Sequence, residues 1–431
     1  MRKVVVLAIV FVGILSLSLA MLPTTQHSNL TIASVNAQDA SCSAQLDTAV
    51  SQTLELCGAT ARGQLCWGAG VFDYSPKEVE ISAPGGTVPL AGISAVINNS
   101  SSDQTSITRL NFEDTFSEGG FASAFLIGPV TATADSEKTP LWSSLTLTRT
   151  EAQLSDCEVA QTSGMLLQAP TGQLLVLTVN GVTLTMNNTA FVLIAETGET
   201  VIDVLRGNAI AQIGSSVQVV FAGFSITAPA NPNALPIPVP YDQTSLTGLP
   251  TQLLPSIVIV PLPGNVSAQA TTPLYASPDL GAPQLAQVLP GTILNLLGED
   301  TTAQWWNVVQ EDGQSGWVPT TAIAGIFPAT APQYSATPQP PTRPYGLVLG
   351  RGTAPGNEIN MRASPSTDAE ILAKLPALTE FNILGRNAAA DWIQIRLDTP
   401  DTTTGATDGW VAVRIVTLPN SLRVADLPVV P

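Results

Sequence analysis

One pattern of residues occurs twice in the C-terminal part of the chain, and no other feature constrains the fold as strongly. Ala276-Ser277-Pro278 recurs as Ala363-Ser364-Pro365, at an offset of 87 positions. At the same offset, Leu285 matches Leu372, Leu297-Gly298 matches Leu384-Gly385, and Trp305 matches Trp392. After an insertion in the second copy, Gly316-Trp317-Val318 matches Gly409-Trp410-Val411. Each copy alternates apolar and polar residues between glycine turns, as half-buried strands do. The repeat predicts two β units of one design, at 271–327 and 346–420.

The second copy resembles the bacterial SH3 family along its whole length. The matching stretches are INMRASPSTDAEILAKLPALTEFNILG, DWIQIRL and DGWVAVRIV. The first copy departs from the family pattern at its start, with Pro273-Leu274-Tyr275 where the family has Asn-Val-Arg. The resemblance implies small SH3-like barrels, which commonly recognise cell-wall peptides or glycans.

A second β-rich stretch covers residues 161–229. Asn180-Gly181 separates the alternating runs 174–179 and 182–186, which is a strong hairpin signal. The order NGVTLTMNNTAFVLI, ETVIDVLRGNAIAQI and VQVVFAGFSITAP resembles the FecR-like domain of bacterial envelope proteins. Members of that family transmit signals or serve as accessory modules, so the resemblance implies a β module that is not an enzyme.

Residues 38–160 are predicted to form a disulfide-bearing domain in which a helix packs on a β-sheet. Leu46, Val50 and Leu54 recur every four residues, which predicts a helix over 43–56. After residue 67 the pattern changes to short apolar runs separated by Gly, Ser and Asn clusters, which is typical of strands.

The chain contains four cysteines, Cys42, Cys57, Cys66 and Cys157. An even number in an exported protein indicates two disulfides. A helix between Cys42 and Cys57 would hold their Cα atoms about 22 Å apart. A disulfide spans at most about 7 Å, so these two are not predicted to pair. Cys57–Cys66 with Cys42–Cys157 is favoured for its short loop, and Cys42–Cys66 with Cys57–Cys157 stays open.

The N-terminus predicts export. Arg2 and Lys3 precede the apolar run Val4–Ala20, the order found in a secretory signal peptide. We assign residues 1–37 to this signal, with cleavage after Ala37 favoured over Ala20; an uncleaved membrane anchor is the alternative. The protein is therefore predicted to be secreted or extracytoplasmic, with no membrane span after cleavage.

Charge and composition exclude several classes of partner and of catalytic mechanism. Removal of residues 1–37 leaves 14 cationic and 33 acidic residues, a net charge of −19. Such a chain repels nucleic acid and anionic lipid. Its only histidine, His27, leaves with the signal, so no Ser-His-Asp or Cys-His relay is available. No catalytic, cofactor or metal motif is present, and we predict neither enzyme activity nor a cofactor nor a metal.

Pro-rich segments separate the predicted units. Residues 230–270 and 328–345 are rich in proline and poor in charge, which predicts semi-extended linkers. Residues 421–431 are a short tail. The predicted fold is mainly β, with small modules (a helix-plus-sheet domain, a FecR-like module and two SH3-like barrels) joined by these linkers.

The predicted function is non-catalytic association with the cell envelope through the repeats. The partner would be a cell-wall or surface polymer, or another envelope protein. The first alternative is a structural or protein-interaction scaffold in which the repeats are spacers, and a minor one is a hydrolase in residues 38–160. The two repeats differ in charge, because residues 273–325 carry five acids and no cation whereas residues 343–431 carry eight cations and nine acids.

The candidate ligand-binding residues are Trp306, Arg362, Trp392, Arg396 and Trp410. Trp392 and Trp410 could form either a stacking surface for sugar or peptide or part of a small barrel's core. Trp306 is predicted to be more exposed than Trp305, because adjacent residues in a strand face opposite ways.

Overall fold

The structure is a computed structural model. It describes residues 30–77, 80–99, 104–112, 121–150, 163–170, 172–230, 233–256, 258–311, 313–335, 350–387, 389–397, 404, 406, 408–418, 422, 424 and 427. The described part is mainly β, as predicted, with one α-helix, α1 (Leu30–Cys57). Short 3₁₀ helices lie at Leu90–Gly92, Leu141–Ser143, Gln243–Leu246, Thr251–Leu253, Thr320–Ala322 and Val413–Ile415.

The N-terminal half forms a sandwich of two large sheets around one shared core. Its strands are β1 (Gln64–Ala69), β2 (Val71–Ser75), β3 (Thr87–Pro89), β4 (Ala95–Asn99), β5 (Ile107–Phe112), β6 (Ala122–Ile127), β7 (Val130–Ala134), β8 (Ser144–Arg149), β9 (Gly164–Gln168), β10 (Leu175–Val179), β11 (Val182–Met186), β12 (Thr189–Ile194), β13 (Thr200–Arg206), β14 (Asn208–Ile213), β15 (Ser216–Phe221), β16 (Phe224–Ala228) and β17 (Val239–Pro240). The first sheet has the order β17-β16-β13-β12-β9-β6-β5-β1-β3. The second has the order β15-β14-β11-β10-β8-β7-β4-β2.

Both sheets contain strands from before and after residues 160–161, where the sequence analysis places a domain boundary. In the first sheet, β9 lies between β6 and β12. In the second, β10 pairs with β8 in parallel, through Thr178 with Ser144 and Val179 with Leu145. The residues on the two sides of the boundary therefore share sheets and one hydrophobic core, and the structure differs from the two separate modules that were predicted.

The predicted hairpin at Asn180-Gly181 is confirmed, and it also makes this parallel junction. Asn180 and Gly181 both have positive φ, 50° and 81°, as the tightest hairpin turns require. The Asn180 side chain accepts a hydrogen bond from the Leu147 N–H (2.8 Å) and donates one to the Leu147 carbonyl oxygen (3.0 Å). Asn180 therefore forms the turn between β10 and β11 and also holds β8 beside β10 through hydrogen bonds.

Helix α1 packs on the outer face of the first sheet. The predicted helix over 43–56 lies within it, and Ala49, Val50 and Leu54 face the sheet. The Arg109 guanidinium donates to the carbonyl oxygens of Cys57 (2.8 Å) and Gly58 (2.9 Å). These carbonyls have no partner within a helix and carry its negative dipole end, so a buried arginine is a favourable cap.

A disulfide ties the same helix end to β1. Cys57 and Cys66 are bonded, with their Cα atoms 5.8 Å apart, which confirms one predicted pair and excludes the alternative pairing. Cys42 is also disulfide-bonded. Cys157 lies outside the described residues, so the Cys42–Cys157 pair stays a prediction. Residues 1–29 of the predicted signal also lie outside them, and residues 30–37 belong to α1.

The described residues of segment 230–270, which was predicted to be a linker, are folded in the structure. Its apolar residues form a second hydrophobic layer with α1 and the outer face of the first sheet; they include Tyr241, Leu246, Leu249, Leu253, Leu254 and Val258. The Ser256 backbone exchanges two hydrogen bonds with the buried Gln168 amide. A stretch with Asp242 as its only charged residue and with several leucines can cover an apolar sheet face, and proline content alone does not show this.

Six strands have the same order in the two repeats, which confirms the predicted internal repeat. The first contains β18 (Val266–Ala268), β19 (Thr272–Tyr275), β20 (Gln284–Val288), β21 (Ile293–Asp300), β22 (Trp305–Val309), β23 (Ser315–Pro319), β24 (Ile323–Gly325) and β25 (Gln333–Tyr334), in the order β20-β19-β23-β22-β21-β18-β24. β25, at the start of the second predicted linker, pairs in parallel with β21. The second contains β26 (Gly350–Thr353), β27 (Ile359–Arg362), β28 (Ile371–Leu375), β29 (Glu380–Arg386), β30 (Trp392–Arg396) and β31 (Asp408–Ala412), in the order β28-β27-β31-β30-β29-β26.

Candidate ligand-binding face of the second repeat

A polar side chain sets the position of the first tryptophan strand in each repeat. The Asp300 carboxylate accepts hydrogen bonds from the N–H groups of Gln304 (2.8 Å) and Trp305 (2.9 Å). Asn387, at the equivalent position, accepts from Asp391 and Trp392, both at 3.1 Å. The two turns therefore place Trp305 and Trp392 at equivalent positions of their barrels.

Four of the five predicted site residues lie on one face of the second repeat. Side chains alternate along a strand, so Trp392 and Arg396 share a face of β30 while Ile393 and Ile395 enter the barrel core. Trp410 of β31 lies opposite Gln394, and Arg362 of β27 lies opposite Trp410. We name Arg362, Trp392, Gln394, Arg396, Asp408 and Trp410 the tryptophan face.

The tryptophan rings on this face are buried. Trp392 and Trp410 are 7% and 4% exposed, and they form a small apolar cluster with Ala412 that is separate from the main core of the barrel. Of the two interpretations left open by the sequence, this burial favours a packing role. A ligand on this face would meet little of the ring surfaces and mainly the polar side chains around them.

Both predicted arginines are already engaged in the structure. Arg362 donates from Nη1 to the Ala369 carbonyl oxygen (2.6 Å), which fixes the loop after β27. Arg396 makes a bidentate pair with Asp408, with Nε–Oδ1 and Nη2–Oδ2 distances of 2.9 and 2.8 Å. Such forked pairs orient both partners. The arginines therefore shape the face, and the charge of Arg396 is partly compensated by Asp408.

Two other cations of the second repeat are exposed. Lys374 lies on β28, with its Nζ 3.4 Å from Glu358 Oε1 in a solvent-exposed pair, and Arg414 lies just after β31. Both belong to the local cations that the sequence predicts to matter in the second repeat. They are not among the five candidate ligand-binding residues, because sequence order does not show which cations the fold leaves accessible. Spacing along β28 was the available signal, since Lys374 alternates with the buried Ala373 and Leu375.

The equivalent face of the first repeat has no cation. Tyr275 occupies the position of Arg362 and lies opposite Trp317. Its ring meets Trp305 edge-on, with centroids 5.5 Å apart, and Trp317 is fully buried.

The prediction that Trp306 is the exposed member of its pair is wrong. Trp306 is 6% exposed and packs in the core of the first barrel, whereas Trp305 is half-buried. Trp306 alternates with Val308, and both occupy positions that isoleucines fill in the second repeat, Ile393 and Ile395. Comparing the two repeats residue by residue would have placed Trp306 inside.

The first repeat is hydrogen-bonded to the sandwich. Its β22–β23 turn places Glu311 against the end of β13, where Arg206 Nε donates to the Glu311 carbonyl oxygen (2.9 Å). Asn187 Nδ2 donates to the Glu311 carboxylate (2.6 Å). A third bond joins the Gly264 N–H to the Gly223 carbonyl oxygen (2.8 Å). This repeat is thus anchored on the sandwich, which differs from the tethered arrangement predicted for it.

One carboxyl group in the sandwich has a strongly perturbed pKa. Asp203 of β13 is 1% exposed and lies under the folded segment that follows β17. Burial raises its pKa to about 6, and the nearby Asp242 charge adds to this effect while a hydrogen bond with Ser225 opposes it. Burial also raises the pKa of the neighbouring Tyr241 hydroxyl, which donates to the Pro261 carbonyl oxygen.

Within the described ranges, no group of three or more His, Cys, Asp or Glu side chains is arranged to hold a metal ion. Over the same ranges, no helix has the length and apolar character needed to cross a membrane.

Comparison with known proteins assigns the two repeats. The sequence profile of the bacterial SH3 domain matches residues 270–324 and 357–417, which contain most strands of the two barrels. The chain therefore contains two bacterial SH3 domains, as the sequence resemblance predicted. A search of curated proteins gives no significant match.

The similarities to solved structures are weak. The chain is similar to NlpC1 and NlpC2 from Trichomonas vaginalis, each at 15% identity and a TM-score of 0.14, over 36% of this chain and 46% and 48% of theirs. It is also similar to a putative anti-sigma factor from Parabacteroides distasonis, at 10% identity and a TM-score of 0.22, over 38% of this chain and 65% of that one. The match thus covers less than two thirds of the length of each of these proteins. TM-scores this low support no conclusion about fold or activity.

Proposed function

We propose that the protein is a non-catalytic, exported binding protein that associates with a cell-wall or surface polymer of the cell envelope. The observation that supports this most directly is the pair of bacterial SH3 domains, because domains of this family commonly bind cell-wall material. The second domain, which carries the whole family motif, is the proposed contact.

The differences between the two domains favour the second one. The first is attached to the sandwich through Glu311, and residues 273–325 contain no cation. The second exposes Lys374 and Arg414. A net charge of −17 over the whole chain opposes approach to anionic polymers, so a contact with such a polymer requires local cations.

Two further features of the chain support a non-catalytic and extracytoplasmic role. The only histidine, His27, lies in the predicted signal, which removes the commonest general base from the mature chain. The cationic and apolar N-terminus fits export, and so does a sandwich carrying a disulfide. Zymography against purified cell wall tests the minor alternative of a hydrolase in residues 38–160, and cleared bands would refute the non-catalytic role.

Co-sedimentation of the purified chain with bacterial cell wall tests the proposed contact. Lys374→Glu and Arg414→Glu should each lower the apparent affinity by about two- to fivefold, as expected for exposed charge contacts. Lys138→Glu is the matched control, because it makes the same charge change at an exposed position of the sandwich and should have no effect. Binding should also weaken near 1 M salt, where the Debye length is about 3 Å.

The opposite pattern would contradict the proposal. Binding that is insensitive to salt and unchanged in both second-domain variants would place the contact elsewhere. Absence of binding to any wall fraction would favour the alternative function, a scaffold in which the domains are spacers. The anchoring of the first domain on the sandwich already favours a structural role for that domain.

A further inference from the structure

One edge of the sandwich differs in sequence from its other edges. The first sheet ends at β3, which contains Pro89, and at β17, which contains Pro240. The second sheet ends at β2, which carries the charged Asp73, and at β15. Prolines and charges at the edge of a sheet prevent further strands from pairing with it. β15 has the sequence Ser-Val-Gln-Val-Val-Phe, with neither proline nor charge, and is therefore an open edge.

The backbone of β15 presents hydrogen-bonding groups on its open side. The Ala222 N–H donates to the Gly207 carbonyl oxygen (3.0 Å), in the register of the β14–β15 ladder. Because hydrogen-bonded and non-hydrogen-bonded pairs alternate along an antiparallel ladder, every second residue back from Ala222 bonds to β14. The N–H and C=O groups of Val217, Val219 and Phe221 therefore point away from β14. They have no hydrogen-bond partner among the described residues.

The side chains of the same three residues are exposed on the outer face of the second sheet. Val217, Val219 and Phe221 are 51%, 45% and 37% exposed. Val219 lies opposite Ile210 of β14, which is exposed to a similar extent. No residue of β10, β11, β14 or β15 is charged, although the net charge of the chain is −17. We name Val217, Val219, Phe221 and Ile210 the open-edge surface, and exposed apolar surfaces of this kind mark protein contacts.

A second copy of the chain fits the open-edge surface because β15 is complementary to itself. When two β15 strands pair antiparallel about a twofold axis at Val219, this residue lies beside Val219 of the other copy, and Val217 lies beside Phe221. All three pairs join residues whose backbone groups face the open side, so they can exchange about six hydrogen bonds. Their apolar side chains meet on the outer face, with a small valine beside a large phenylalanine. Each copy uses its open edge in this contact, so association closes at a dimer.

Charge favours a second copy over a charged segment of another protein. Two chains of net charge −17 repel each other, so they can make close contact only where each presents an uncharged surface. The strands around the open edge provide such a surface. A cationic peptide would find no carboxylate to pair with on β10, β11, β14 or β15.

We propose that the chain forms a homodimer in which the β15 edges of two copies pair antiparallel and join the second sheets of their sandwiches. The proposal does not rest on polymer binding by the second SH3 domain, because β15 belongs to the sandwich. Disrupting the dimer should leave each sandwich folded, since the side chains that meet between the copies are exposed in one chain.

Sedimentation velocity of the purified full-length chain over a range of concentrations tests the proposal. Wild type should form a species with twice the 44.8 kDa mass of one chain. Val219→Lys sets two like charges side by side at the twofold axis. Val219→Pro removes an N–H that faces the open side and leaves the hydrogen bonds to β14 in place. Each variant should raise the dissociation constant of the dimer at least about tenfold.

Val176→Lys is the matched control for Val219→Lys. It makes the same change at a similarly exposed position of the same face, on β10, three strands from the open edge. It should leave the dissociation constant unchanged. Salt gives a second comparison, because screening of the repulsion between two acidic chains should strengthen the dimer, whereas it should weaken the charge contacts of the second SH3 domain.

Hydrogen–deuterium exchange of residues 216–221 locates the contact. The N–H groups of Val217, Val219 and Phe221 should exchange slowly at concentrations where the dimer forms and fast in Val219→Lys, while those of β14 that bond to β15 stay protected in both. The proposal is overturned if folded Val219→Lys and Val219→Pro dimerise as wild type does, or if Val176→Lys alone abolishes the dimer, which would indicate face-to-face packing. A wild type that stays monomeric at the highest soluble concentration would also overturn it and would assign the open edge to a strand of another protein.

Discussion

Replacing Asp203 with asparagine should make the chain more stable at pH 7 and change its stability little at pH 4. The carboxyl group is 1% exposed, and burial raises its pKa from 3.8 to about 6. Each pKa unit corresponds to about 1.4 kcal/mol. Ionisation of Asp203 in the folded chain at pH 7 therefore costs about 3 kcal/mol.

The direction of this pH dependence follows from the raised pKa. The unfolded chain loses the proton near pH 4 and the folded chain near pH 6, so the unfolded state binds fewer protons between these values. The contribution of Asp203 to stability is fully present below about pH 4 and is lost as the pH rises through about 6. Asparagine has a similar shape and does not ionise, so the variant does not lose stability at this position as the pH rises.

Urea unfolding of both proteins at pH 4 and pH 7, followed by circular dichroism, measures the effect. The variant should gain about 3 kcal/mol at pH 7 relative to wild type, and most of this gain should disappear at pH 4. Asp73→Asn is the control of opposite sign, because a hydrogen bond from Lys77 lowers the pKa of the Asp73 carboxyl, which does not interact with Asp203. It should slightly destabilise the chain at pH 7. A variant of Asp203 that is no more stable than wild type at pH 7, or equally stabilised at both pH values, would refute the reasoning.

Four further predictions concern stability and processing. Arg109→Met should lower the unfolding free energy by about 3 kcal/mol in urea titrations, because it leaves the buried carbonyls of Cys57 and Gly58 without their charged donor. Trp392→Ala should cost about 3–5 kcal/mol and be seen as a lower melting temperature of the second SH3 domain. Non-reducing peptide mapping should recover Cys57–Cys66 and a Cys42–Cys157 link, and a free Cys42 would contradict the latter. Mass spectrometry of the extracytoplasmic protein should find an N-terminus near Gln38, whereas intact Met1 in membranes would indicate an anchor.

The elements that could be predicted from the sequence are those with local signals. The hairpin at Asn180-Gly181 depends on two adjacent residues that accept positive φ. The SH3 domains could be predicted because the chain contains the pattern twice, which excludes coincidence. The helix over 43–56 and the Cys57–Cys66 bond follow from spacing within a short stretch.

What the sequence did not show depends on contacts between distant residues. No residue of β8 or β10 predicts their parallel pairing, which joins two predicted modules in one sheet. The folded segment that contains Tyr241 and Leu254 has the composition of a linker, and only the apolar face that it covers reveals its role. Burial of Trp306 depends on strand phase, which two adjacent tryptophans leave ambiguous until the first repeat is aligned with Ile393 of the second.

The sequence predicted which residues share the face of the candidate site, but it did not predict the partners of their side chains. Arg362, Trp392, Arg396 and Trp410 do lie on one face, because the repeat fixes the strands that carry them. Their engagement could not be inferred, since the Arg396–Asp408 pair spans the insertion that separates β30 from β31. Exposure of Lys374 was predictable from its alternation with Ala373 and Leu375 along β28.

Removal of the second SH3 domain tests the central claim most directly. The full-length chain and a chain ending at residue 345 are compared in co-sedimentation with purified cell wall at low salt. The account predicts that the full-length chain sediments with the wall and that the shortened chain, still folded by circular dichroism, stays in the supernatant. Equal sedimentation of both chains would contradict it.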